Sequence, residues 1–329
     1  MAFRKTVAYN MEIMTNIKNE YKIVAITPAG RKANLEILHK YLVKNKNIID
    51  RWDLWVNTEN KIDLEYMIEL SNKYSFINLV YPTWPYERGC PNLSLAPFWS
   101  KATDEDTIYI RFDDDIVFID DNTIENLIDF RVKNRNHLFV YPFIINNPFH
   151  SKDLQLRELI SKKNGTIRSH EELLGPGIAD PVSFLSSSFA RELHETFIKS
   201  YHKSDYKKFM CDEKITWDIT GSVYKYGTNG KQEIFSNGGP QVAINCISWF
   251  GSDLKTITPI NNCYFDGEKK QREYTDEEPY LTVVKTKELN MPSCTAPNTL
   301  VVHFLFGPQR KEDNMNDILQ EYKKISNEI

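Results

Sequence analysis

The chain has no CxxC pair, no long apolar run and no excess of positive charge. Its five cysteines (Cys90, Cys211, Cys246, Cys263 and Cys294) are odd in number and cannot all pair within the chain. This spacing excludes a zinc ribbon or a disulfide scaffold and points to a reducing compartment. The most apolar stretch, Leu138 to Ile145, spans only eight residues and contains Pro142, whereas a membrane helix needs about 20. No apolar segment follows Met1-Ala-Phe-Arg-Lys5, so no secretory signal is expected. With 41 basic against 45 acidic residues the net charge is −4, which supplies no field to gather nucleic acid. The expectation is a soluble, cytoplasmic protein with no transmembrane segment and no nucleic-acid partner.

Hydrophobic residues form 41% of the 329 positions and charged residues 26%, the balance of an ordinary globular protein. From residue 21 short apolar runs alternate with helical patterns. Strands are predicted at 21–27, 53–57, 76–81 and 107–112 from β-branched and aromatic runs bounded by turn residues. Between them Leu35, Leu38, Tyr41 and Leu42, then Leu64, Met67 and Ile68, recur at helical spacing. A helix near 93–101 precedes the fourth strand. Strands separated by helices predict an α/β fold with a doubly wound, mostly parallel sheet. Such sheets bind ligands at the carboxyl ends of their strands, which directs attention to the loops starting at Thr27, Asn57, Pro82 and Asp113. Further on, a helix is expected at 122–133, a strand at 137–144, helix over 190–225, strands at 280–284 and 300–306, and a polar helix over 312–329. No repeat or flexible linker divides the chain. One domain is therefore expected over 21–309, between an extension at 1–20 and a C-terminal helical segment at 310–329.

The fourth strand runs directly into Asp113-Asp114-Asp115. Adjacent carboxylates repel and are costly to desolvate, so such a run sits in water or on a cation. Asp113 and Asp115, one residue apart, can converge on one hard ion; oxygen ligands suit Mg²⁺ or Mn²⁺. An EF-hand does not fit, because Val117 and Phe118 stand at its fifth and sixth positions.

An apolar strand ending in Asp-x-Asp, about a hundred residues into a βα repeat, resembles the GT-A glycosyltransferases. The resemblance covers roughly residues 21–150, implying a donor half there and an acceptor half over 151–309. It implies a divalent cation, Mn²⁺ or Mg²⁺, bridging the diphosphate of a nucleotide-sugar donor, with UDP as the expected nucleotide and a hydroxyl-bearing glycan or other acceptor. Asp113 and Asp115 match the motif, Asp115 as direct ligand. Thr27, Pro28 and Arg31 in the first turn, Asn57, Arg88, Asp113 and Asp114 are then expected to contact the donor. A late histidine completes the metal set in many members; His303, within Leu300 to Phe306, is the candidate, and its nitrogen would favour Mn²⁺. Arg310 follows at reach of a diphosphate.

An inverting transfer needs a carboxylate base. Asp253, after the aromatic turn-like segment 247–253, is the first candidate, and Asp276 and Glu277 are the alternatives; Trp249 and Phe250 are candidates to stack on a sugar. Two rival readings share the acidic turn. Asp113-x-Asp115-x-Val117 also satisfies the nucleophile motif of haloacid-dehalogenase-like phosphatases, with Asp113 attacking phosphorus. A protein that binds nucleotide or carbohydrate without turnover is the other.

Overall fold

The first apolar run, Lys22–Ala29 (β1), lies almost wholly out of solvent between two parallel neighbours, Arg51–Val56 (β2) and Thr107–Phe112 (β4). These coordinates are a computed structural model that describes residues 14–82, 95–167, 181–216, 223–226, 232–236, 242–255, 263–266, 269–272, 277–312 and 315–329. Between the strands, α1 (Lys32–Lys44) buries Leu35, Ile37, Leu38, Tyr41 and Leu42. The next helix, α2 (Lys61–Lys73), starts where the Asn60 side chain accepts from the Ile62 N–H, satisfying an otherwise orphaned donor. Ile77–Val80 (β3) pairs in parallel with β2, and a short helix, Ala96–Trp99 (α3), precedes β4.

Beyond β4 the chain turns through the three aspartates into Ile116–Ile119 (β5), then Thr123–Lys133 (α4), Val140–Ile145 (β6), Pro148–Leu156 (α5) and Ser187–His202 (α6). The two-residue strand Ile215–Thr216 (β7), Cys246–Phe250 (β8) and Cys294–His303 (β9) follow, and Asn316–Ile325 (α7) is the last helix. One sheet runs in the order β3-β2-β1-β4-β8-β6-β9-β5, with β7 on β9. β3, β2, β1 and β4 are parallel, as are β6 and β9; β8 runs antiparallel to both β4 and β6, and β5 antiparallel to β9. The fold class expected from the sequence, an α/β fold with a doubly wound, mostly parallel sheet, is the one observed. Two hairpins, 223–226 with 232–236 and 263–266 with 269–272, stand outside this sheet.

Four expectations need correction. The helix expected over 190–225 ends at His202, where Ser204 takes a left-handed φ of 58° that no helix continues through. Tyr280 to Val284 is not a strand but a helical turn over Tyr280–Lys285. Its β-branched residues suggested a strand, but the Thr282 and Thr286 hydroxyls donate to carbonyls four residues back, a contact that only helical backbone brings within reach and that tends to bend it. The segment 247–253 is strand β8 through Phe250, with only Gly251–Leu254 turning. Trp249 is fully buried and stacks on Tyr109 at 5.4 Å, and Phe250 is buried too. Both are core residues, not a sugar platform. The last helix covers 316–325 of the 312–329 expected.

No helix among the described residues is long and apolar enough to cross a membrane.

Gly251 marks where β8 leaves the sheet: a Cβ there would stand 2.1 Å from the Asp104 carbonyl oxygen and 2.8 Å from the Tyr109 ring. The backbone carbonyl cannot yield as a flexible side-chain tip would. Gly251→Ala is therefore expected to lower unfolding free energy by about 2 kcal/mol, read from urea melts.

Candidate functional site

The carboxyl ends of β1, β2, β4 and β9 open on a cleft of about 550 Å³. Gly30, Arg31, Asn57, Asp113 to Asp115, Asn245, Glu277, Glu278, His303 and Arg310 are among the residues that line it. The acidic turn is built by a change of strand neighbours. β4 lies between β1 and β8, whereas β5, only three residues later, pairs with β9 at the sheet's far edge. The turn thus crosses the carboxyl edge of the intervening strands. It is closed by the Ile116 N–H donating to the Asp113 carbonyl at 3.1 Å.

His303 meets this turn because of register. It is the β9 partner of Ile116, and the Phe304 N–H donates to the Asp115 carbonyl at 2.9 Å. One donor atom from each of Asp113, Asp115 and His303 lies within 4.8 Å of the others. His303 Nδ1 is 3.2 Å from the Asn146 carbonyl oxygen, which can only accept, so Nδ1 carries the proton and Nε2 presents a lone pair. That Nε2 is 3.4 Å from Asp115 Oδ1, a buried oxygen with no hydrogen bond. Two carboxylates and one imidazole, with an unsatisfied buried oxygen among them, fit a Mn²⁺ or Mg²⁺ ion.

Three arginines compensate the acidic turn. Arg31 donates through Nε and Nη2 to Asp114 and through Nη1 to Asp115 Oδ2 at 2.9 Å. Gly30 N–H donates to Asp114 Oδ2 at 2.9 Å, so Asp114 ties the first turn of the sheet to the fourth. Arg310 Nη2 donates to Asp115 Oδ2 at 2.8 Å. Arg111, itself buried, bridges Asp113 and Glu277, with Nη1 2.8 Å from Glu277 Oε1. Burial alone would raise the Asp115 pKa, but the Arg31 and Arg310 guanidinium groups hold it well below the ordinary carboxylate range. For Asp113 and Asp114 burial prevails and pushes the pKa up, against Arg111 and Arg31 respectively.

The sequence-predicted residues divide accordingly. Pro28, Arg31, Asn57, Asp113, Asp114, Asp115, His303 and Arg310 converge on the cleft. Thr27 does not line it: its hydroxyl accepts from Trp52 Nε1 inside the core. Glu277 lines the cleft, with its second oxygen accepting from Trp99 Nε1 at 2.5 Å. Asp253 is not brought there. Because β8 runs antiparallel to β4, with Phe250 opposite Ile108 and Cys246 opposite Phe112, its C-terminal end lies at the edge of the sheet away from Asp113. There Asp253 is 3.8 Å from the buried Arg131. Arg88 and Asp276 lie outside the described residues.

Sequence reasoning missed Asn146 and Asn147, at the carboxyl end of β6. Asn146, with φ of 60°, a conformation asparagine tolerates better than most residues, donates to the Phe304 carbonyl and to Gln309 Oε1. Gln309 in turn donates to Ser183 and accepts from the Phe306 N–H. Asn147 donates to the Ala243 carbonyl and to Asn245, whose own amide donates to Asp113 Oδ2. The two asparagines therefore brace opposite walls of the site. The available signal was Asn146-Asn147-Pro148 at the end of a predicted parallel strand. Glu278, the third member of the acidic run that Asp276 and Glu277 begin, also lines the cleft.

No family model matches the sequence, and no curated protein is similar to it. Among solved structures, glucosyl-3-phosphoglycerate synthase from Mycobacterium tuberculosis in complex with Mg²⁺ and uridine diphosphate is 11% identical, over 60% of this chain and 70% of that one, with a TM-score of 0.33. The same enzyme with phosphoglyceric acid is 13% identical over 59% and 70%, TM-score 0.34. CMP:2-keto-3-deoxy-manno-octonic acid synthetase complexed with CTP is 9% identical over 94% and 100%, TM-score 0.41. Similarity this low fixes neither substrate nor reaction, which rest on the site itself.

The Phe304 carbonyl also accepts from His194 Nε2 at 2.7 Å, while His194 Nδ1 accepts from the Tyr322 hydroxyl. Burial lowers the His194 pKa to about 4. The unfolded chain's imidazole protonates near 6.5, so protons favour unfolding. The contribution of this residue is complete above about pH 6.5 and is lost towards pH 4, at up to about 1.4 kcal/mol per pH unit. In urea melts, His194→Gln is expected to be less stable than wild type at pH 7 but to lose less stability between pH 7 and pH 5.

Proposed function

We propose that this chain is a glycosyltransferase that moves a sugar from a nucleoside-diphosphate sugar, UDP-sugar first, to a hydroxyl acceptor. The observation that carries this reading is the convergence of Asp113, Asp115 and His303 beside two cleft-lining arginines, at the ligand-binding edge of a doubly wound sheet. A nucleoside diphosphate leaves as a polyanion, and its departure calls for cationic groups at the leaving oxygens.

Asp113, Asp115 and His303 would hold a divalent cation, which supplies Lewis-acid stabilisation of the leaving diphosphate. Arg31 and Arg310, both on Asp115 Oδ2, add positive charge beside that set. Asn57 and Pro28, at the ends of β2 and β1, form the wall assigned to the nucleoside. Acceptor activation falls to Glu278, on the cleft wall; Glu277 is committed to Arg111 and Trp99, and Asp253 is on the wrong edge. The phosphatase reading needs Asp113 free to attack phosphorus, yet both its oxygens accept hydrogen bonds, from Arg111 and from Asn245.

With Mn²⁺ present, the purified protein is expected to release intact nucleoside diphosphate from a UDP-sugar, followed by coupled detection of UDP. Asp115→Asn should reduce that release by at least about a hundredfold. Glu278→Gln should depress transfer to acceptor while leaving UDP affinity within about twofold, since a base acts in the transition state, and Asp253→Asn should transfer normally. Inorganic phosphate as the product, or a phosphorylated Asp113, would decide for the phosphatase.

A further inference from the structure

The cleft holds more compensating charge than a bare cation site requires. Asp113, Asp114, Asp115 and Glu277 face Arg31, Arg111 and Arg310, and Glu278 also lines the cleft, so carboxylates outnumber guanidinium groups and the balance stays negative. At Asp115, both guanidinium contacts fall on Oδ2, from Arg31 at 2.9 Å and Arg310 at 2.8 Å, while Oδ1 faces His303 Nε2. One oxygen is thus engaged by arginine and the other is turned to the donor cluster. The two contacts reduce the negative potential that would draw a divalent cation to Oδ1. A diphosphate alone meets the same carboxylates and is repelled by them.

Resting on the donor reading above, we infer that Arg310 makes the site take cation and diphosphate as one unit: the carboxylates repel a lone diphosphate, while Arg310, paired with Asp115, suppresses binding of the cation alone and rewards their joint arrival. Its place in the chain suits this role. The preceding residue, Gln309, is fully buried and locked to Asn146, Ser183 and Phe306, so the base of the Arg310 side chain is fixed. The Arg310 side chain as a whole is 42% exposed, and its Nη2 is shared between Asp115 and the Leu305 carbonyl at 2.7 Å. On the other side of Gln309, a Cβ on Gly307 would meet nothing within 4 Å, leaving room beside the arginine. A diphosphate entering with its cation exchanges the Arg310–Asp115 contact for an Arg310–phosphate contact, while the cation takes over compensation of Asp115. Arg31 differs, since its Nε and Nη2 are held by Asp114; it stays in place as a wall of the site. Arg310 is the residue that changes partner.

This gives opposite signs for two affinities of one variant. In Arg310→Met, Mn²⁺ alone, titrated by the loss of the free-ion electron paramagnetic resonance signal, is expected to bind about fivefold more tightly, the value of one half-exposed ion pair removed. UDP in saturating Mn²⁺, measured by calorimetry, is expected to bind about tenfold more weakly. Arg310→Lys, which keeps the charge, should return both affinities most of the way to wild type. A structural role for Arg310 would instead weaken Mn²⁺ and UDP binding together and lower the melting temperature; that result, or unchanged UDP affinity in Arg310→Met, overturns the inference while leaving the donor reading intact. Failure of the wild-type protein to bind UDP even with Mn²⁺ overturns the donor reading itself.

Discussion

The placing of three consecutive carboxylates, two of them buried, at the edge of a sheet is the constraint on which the rest of this structure depends. Asp114 and Asp115 are almost completely removed from solvent, and a buried carboxylate without partners costs several kcal/mol. The fold meets that cost from three directions. Arg31 comes from the turn after β1, Arg111 from β4 itself, and Arg310 from the loop after β9. Each arginine belongs to a segment that the sheet holds in place. The acidic turn therefore cross-links elements nearly three hundred residues apart in sequence while serving as the floor of the cleft.

The same arrangement explains why buried polar groups are concentrated on this edge of the sheet. Asn146, Asn147, Gln309 and Asn245 form amide contacts that set the walls of the cleft. His194 and Tyr322 extend that support into α6 and α7. Such networks hold a site rigid when every member is satisfied. Removing one partner leaves its neighbours unsatisfied in a low-dielectric region. The groups that touch the chemistry are thereby fixed by groups that do not.

Charge balance, not the mere presence of acids, is what distinguishes this cleft from an acidic surface turn. The opposite edge of the sheet offers a contrast. Asp253 and Arg131 face each other at 3.8 Å, with Phe250 between the guanidinium groups of Arg131 and Arg135. That cluster packs strand ends and closes off the sheet. At the carboxyl edge, by contrast, Arg31 and Arg310 stay partly exposed on a cleft large enough for a ligand.

What the sequence by itself determined was local. The strand at 107–112 was legible to the residue, and the first helix was legible from the spacing of Leu35, Leu38, Tyr41 and Leu42, because runs of buried apolar side chains and 3.6-residue spacing are set by near neighbours. The position of the aspartates after the fourth strand, at the ligand edge of a parallel sheet, followed from the same alternation. Asp113, Asp115 and His303 were also correctly grouped, through a family resemblance. Only the tertiary structure decided the direction of β8. A short strand reads the same whether it runs parallel or antiparallel, yet that direction carried Asp253 away from the cleft. Only the tertiary structure set the β9 register that places His303 beside Ile116, and the bonds from Asn146 and Asn147 to segments some 100 and 160 residues away. Long-range pairing depends on which edges are left to meet once the core has closed, and no local pattern encodes it.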